Sequence, residues 1–135
     1  MEQMTLRCPV TIKSKVTESL KEKIIAELDE HMEMADRELQ NLEFQAKRMM
    51  SEQAKMDAQG LISLRAQVEQ EKQKLLNIKA QTAAKLKDAE KLEIGSEISQ
   101  GTMEQTIVVK IGDDLSVLMG AEILLEDGKV IAFRQ

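Results

Sequence analysis

Between Ile25 and Met56 apolar residues recur with a seven-residue period. One set of positions holds Ile25, Met32, Leu39, Ala46 and Gln53, the other Leu28, Ala35, Leu42, Met49 and Met56. Nine of these ten side chains are apolar, which demands a helix that buries one stripe against another helix. Carried further, the frame puts Gly60 and Ser63 on the seam, and there it fails. Glycine costs a helix interior about 1 kcal/mol relative to alanine. A second frame begins at once with Leu61, Leu64, Val68, Leu75, Ile78, Thr82, Ala89 and Leu92, with Glu71 and Lys85 as its polar members.

The two frames complement each other if the chain folds back around residues 57–60. Met56 then meets Leu61, Leu42 meets Leu75, Leu39 meets Ile78 and Leu28 meets Ala89. The weak layers are Ala46 with Glu71, Ala35 with Thr82 and Met32 with Lys85. Charge agrees: residues 17–56 carry six basic and ten acidic side chains, residues 61–92 seven basic and four acidic, so the arms attract. The alternative is one continuous helix in a multichain bundle, because heptad register alone coincides easily.

The flanks read as strands. In MTLRCPVTIKSKV (residues 4–16) Leu6, Cys8, Val10 and Ile12 alternate with polar or turn residues, the period of a half-buried strand. Pro9 lacks a ladder donor, which predicts an edge position. Thr17 before Glu18 fits a helix start. After Leu92 come IGSEISQ, MEQTIVVKI, GAEILLED and KVIAFR, β-branched runs separated by glycine-containing turns. Asp127-Gly128 is a two-residue hairpin signal, and GDDLSVLMG reads as a turn and a short helix. The expected fold is α+β. Residues 1–16 and 93–135 form a small five-stranded β-barrel-like domain, and residues 17–92 form a long antiparallel coiled-coil hairpin inserted into it.

Composition narrows the function classes. Aromatics are 1% of the chain and nine residues are Met, which points to helix pairing in place of a thick core. The net charge of −5, with three basic and eight acidic side chains in residues 93–135, disfavours direct nucleic-acid binding. No apolar run approaches the ~20 residues of a membrane span. The start MEQMTLRCPV lacks a secretory pattern, and Cys8 stands alone, so a reducing cytoplasm is the expected compartment.

NLEFQAKRM, LEIGSEISQGT and VVKIGDDLSVLMGAEILLEDGKVIAF resemble the YlqD-like family of small bacterial proteins, particularly its cyanobacterial branch, from about Thr11 to Arg134. The β segment is the specific part of the likeness. The family carries no assigned activity, so the resemblance implies no catalytic or binding residues. It does imply a neighbourhood, since relatives in some bacteria are encoded near ribosome-maturation and ribosomal-protein genes.

No nucleophile–base pair, metal cluster or cofactor loop appears, so neither an enzyme nor a cofactor is expected. His31 has no second His, and reads as solvated helix surface. Asp113 and Asp114 lack the spaced ligands of a calcium loop and fit capping and turn roles. Cys8 in an alternating strand reads as a small buried apolar residue. Off the seam, Met34, Phe44, Met50, Ile62, Leu76 and Ala80 place more apolar area than one hairpin needs, a candidate interaction surface. The expected function is a non-enzymatic interaction protein: an adaptor, an assembly factor or a chaperone-like clamp. Its expected partners are further copies of itself and an unidentified protein. The second reading is a ribosome- or RNA-associated factor docking through protein contacts.

Overall fold

A computed structural model describes all 135 residues. Two compact units result, one of residues Lys23–Lys91 and one of Met1–Glu22 with Leu92–Gln135.

The helical unit is built from α1 (Glu18–Met56) and α2 (Ala58–Glu90). Thr17 caps α1: its Oγ1 accepts the Leu20 N–H at 3.1 Å and its hydroxyl donates to Asp127 Oδ1 at 2.6 Å. The break between the helices is a single residue. Asp57 is extended (φ −158°, ψ 122°), and its carboxylate accepts from Gln59 N and Gly60 N at 3.0 and 3.3 Å. Gly60 therefore lies inside the first turn of α2 and not in the reversal. A Cβ there would meet the Gln53 side-chain amide, the mobile end of a long side chain on the facing helix. The turn is made by an N-cap.

That contact, and an ion pair between Lys79 Nζ and Asp36 Oδ1 at 2.5 Å, show α2 running back along α1. The buried residues are Ala35, Leu39 and Ala46 on α1 and Thr82 and Ala89 on α2, all of them seam positions of the heptads. The polar layer at Thr82 is satisfied, because its hydroxyl donates to the Ile78 carbonyl at 2.7 Å. The seam is uneven: Ile78 and Met49 are about half exposed, and Met56 beside the turn is largely exposed.

The other unit is a four-stranded sheet in the order β2-β1-β3-β4. Its strands are β1 (Gln3–Lys15), β2 (Glu97–Lys110), β3 (Glu122–Glu126) and β4 (Lys129–Arg134), with α3 (Leu115–Met119) between β2 and β3. β1 pairs antiparallel with β2 along its whole length and parallel with β3 only over Thr11–Ser14. Asp127 (φ 50°) and Gly128 (φ 82°) join β3 to β4 as the sequence signal required.

Three expectations are corrected here. The sheet has four strands, not five, because IGSEISQ and MEQTIVVKI form one strand. Gly101, at φ 144°, sits in a β-bulge where the register shifts between Ile12 and Lys13, so the glycine kinks the ladder without ending it. The sheet is open, not a barrel. Arg134 on β4 reaches Glu97 on β2, with Nη2 2.9 Å from Oε2, but those two edge strands share no backbone pairing. β1 is not an edge strand, since it lies between β2 and β3. Pro9 is tolerated because Thr11 N bonds Ala121 O on the β3 side, so the odd residues of β1 face that way. At Pro9 no strand lies there to miss the donor.

Alternation gives the sheet two distinct faces. Cys8, Val10 and Ser14 are buried on one of them, which also carries Ile107, Met103, Ile123 and Phe133 through the pairing registers. The opposite face carries ion pairs: Lys13 with Glu122 at 3.0 Å, and Arg134 with Glu122 at 3.6 Å.

Candidate functional site

The six off-seam residues are placed unequally. Phe44 and Ile62 are 71% and 70% exposed, Met34 is half exposed, Leu76 and Ala80 are exposed and Met50 is partly covered. Phe44 occupies the heptad position farthest from the partner helix, which explains its exposure. Met34 lines a groove of about 300 Å³ with Leu75, Ile78 and His31, opened by the small side chains of the Ala35–Thr82 layer. The other five do not line that groove, so the six are not gathered into one pocket.

The sheet carries a larger cleft that the sequence reading did not anticipate. About 530 Å³ in volume, it crosses all four strands on the apolar face, with Val10, Met103, Gln105, Ile123 and Phe133 along it. Met103 and Phe133 are 60% and 79% exposed. The signal was present in the alternation of the strands, but closing the sheet into a barrel would have hidden it.

The polar candidates take structural roles. Asp113 Oδ2 accepts the Lys110 N–H at 2.8 Å and closes the turn after β2. Asp114 caps α3, accepting from Ser116 N and Ser116 Oγ at 3.0 and 2.6 Å. The Ser116 hydroxyl, then the Val117 and Ser116 N–H groups, hold the Asp114 carboxyl below the usual carboxylate range. The Arg134 guanidinium does the same for Glu97, and Glu97 in turn raises Arg134. Cys8 is buried, its Sγ 3.9 Å from the Leu118 carbonyl of α3. His31 is exposed at the rim of its groove. No group of three or more His, Cys, Asp and Glu side chains converges as a metal site, and no helix is long and apolar enough to cross a membrane.

These features define an α+β protein with a long antiparallel helix pair and a small, open mixed sheet, both leaving apolar side chains in solvent. The chain belongs to the YlqD family: the family model described as "YlqD protein" matches residues 4–134. It is 29% identical over 127 residues to the uncharacterized protein YlqD of Bacillus subtilis (strain 168), covering 93% of this chain and 94% of that protein. A crystal structure of a protein of unknown function from Synechococcus sp. WH 8102 has the same fold, with a TM-score of 0.82. At 22% identity it covers 98% of this chain and 95% of its own.

Proposed function

We propose that the protein is a non-enzymatic interaction protein, an adaptor, assembly factor or chaperone-like clamp, that engages protein surfaces through its helix pair. The observation that carries this is the solvent exposure of Phe44 and Ile62 on helices whose seam is already occupied. Apolar side chains left in water mark a contact surface when they act as one patch, and the proposal takes Phe44, Ile62 and Leu76 to act together. Met34, with a flexible thioether beside an open groove, suits an adaptable contact. Further copies of the chain are among the partners of this face, making the protein a homo-oligomer.

The test is affinity capture from native lysate with wild type and with Phe44→Glu plus Leu76→Glu, each with and without RNase. A defined protein held by wild type through RNase treatment and lost by the variant supports the role. Capture that the variant retains, or that RNase removes, contradicts it; the RNase-sensitive outcome would favour the ribosome-associated reading.

A further inference from the structure

We propose that the outer edge of β2 is a homodimer interface, on which a second copy adds its own β2 antiparallel along Thr102–Val108 about a two-fold axis through Gln105. This rests on the sheet and not on the role assigned to the helices.

Ile111 N donates to Glu2 O, so the odd residues of this part of β2 turn their backbone groups toward β1. Thr102, Glu104, Thr106 and Val108 therefore point N–H and C=O outward, where no strand lies. Both ends of this free edge are fixed. Lys110, next in the outward series, donates its N–H to Asp113 Oδ2 at 2.8 Å and accepts from Asp113 N at 3.1 Å. At the other end the Gly101 bulge breaks the register. Between them the edge has no Pro, no Lys and no bulge, and Glu104 is its one charged side chain. Thr106, Ile107, Val108 and Val109 are strong strand formers.

The strand is its own complement. A two-fold axis at Gln105 sets Thr102 opposite Val108 and Glu104 opposite Thr106, so every free outward group finds a partner. Moving the axis to Glu104 opposes two carboxylates, and moving it to Thr106 leaves Thr102 against the closed Lys110. Half-residue shifts turn the apolar face of one sheet onto the polar face of the other. In the Gln105 register Met103 meets Ile107 of the second copy, so the apolar face continues across the dimer.

The self-complementary register is what selects a second copy as occupant. The sheet unit buries only Cys8, Val10 and Val16 of its apolar side chains, while Met103 and Val108 beside the free edge are about half exposed or more.

The test uses the full chain with Cys8→Ala, needed because Cys8 pairs with Gln105 across the ladder. With Gln105→Cys added, the two new thiols face each other across a non-hydrogen-bonded pair, Cα atoms about 4.5 Å apart, within disulfide range. Mild oxidation at ~10 μM, a concentration suited to a micromolar dissociation constant, is expected to link most of the protein as dimer. Met103→Cys and Ile107→Cys chains are expected to link little alone and to link to each other when mixed. Cross-linking without this position dependence overturns the proposal. Independently, Thr106→Pro deletes an outward N–H and no β1 bond. It is expected to halve the mass seen by light scattering, with an unchanged circular dichroism spectrum. A monomeric wild type at ~100 μM, an unchanged mass in a folded Thr106→Pro variant, or a dimer abolished by Phe44→Glu plus Leu76→Glu but kept by Thr106→Pro, each refutes it.

Discussion

Asp57 and Gly60 lie three residues apart, and the structure assigns them opposite consequences. Asp57→Ala removes a carboxylate that accepts two backbone N–H groups at the start of α2. Loss of such a cap costs about 1 kcal/mol, within a range of roughly 0.5–2. Gly60 has helical neighbours, an ordinary negative φ and no role in the reversal. Gly60→Ala therefore gains up to about 1 kcal/mol of helix propensity, less the small cost of moving the Gln53 amide aside. The two variants should differ by about 1–2 kcal/mol in opposite directions from wild type. Urea unfolding followed by far-ultraviolet circular dichroism at 222 nm resolves this, since a change in midpoint at constant slope reads directly as stability. Gly60→Ala destabilising the protein as much as Asp57→Ala would refute the reasoning and return the turn to the glycine.

Deleting residues 1–13 removes the strand between β2 and β3, so the truncated chain is expected to aggregate or to melt at markedly lower temperature in scanning calorimetry. An unchanged melting temperature would contradict the topology. Phe44→Glu plus Leu76→Glu is expected to shift the protein to a smaller species in light scattering while the sheet stays folded; an unchanged mass would remove the helix face from self-association. Glu97 is held below its ordinary value of 4.5 by Arg134, so its contribution is fully present above that value and is lost as pH falls through the folded pKa. Thermal melts between pH 6 and about 3 are therefore expected to fall less steeply for Glu97→Gln than for wild type, and equal slopes would argue against the pairing.

The helices were legible because a heptad seam is a local pattern repeated many times: Ala35, Leu39, Ala46, Thr82 and Ala89 were marked by spacing alone and are buried. The reversal is legible at residues 57–60, and the structure narrows it to Asp57, whose carboxylate accepts from the Gln59 and Gly60 N–H groups as an ordinary cap. The sheet was less legible because strand number and closure are long-range properties. Gly101 reads as a terminator in one dimension and acts as a bulge in three. Pro9 signalled an edge that exists only along the part of β1 that β3 does not reach. Asp113, Asp114 and Cys8 were read correctly as turn, cap and buried residue, since those roles depend on neighbours within a few positions or on strand alternation. The cleft at Met103 and Phe133 depends on an open sheet, and no local pattern encodes that.

The architecture stands on the chain folding back at Asp57, and one distance tests it. Gln40 and Asn77 are exposed and lie level on the two helices in the Leu39–Ile78 register. Spin labels on Gln40→Cys and Asn77→Cys in a Cys8→Ala chain, diluted with unlabelled protein, report the intrachain separation by double electron–electron resonance. Packed antiparallel helices place the labels about 2–3 nm apart, two label arms beyond an interaxial distance of about 1 nm. A continuous helix would separate them by about 5.5 nm at 1.5 Å per residue, and a distance near that value would contradict the hairpin.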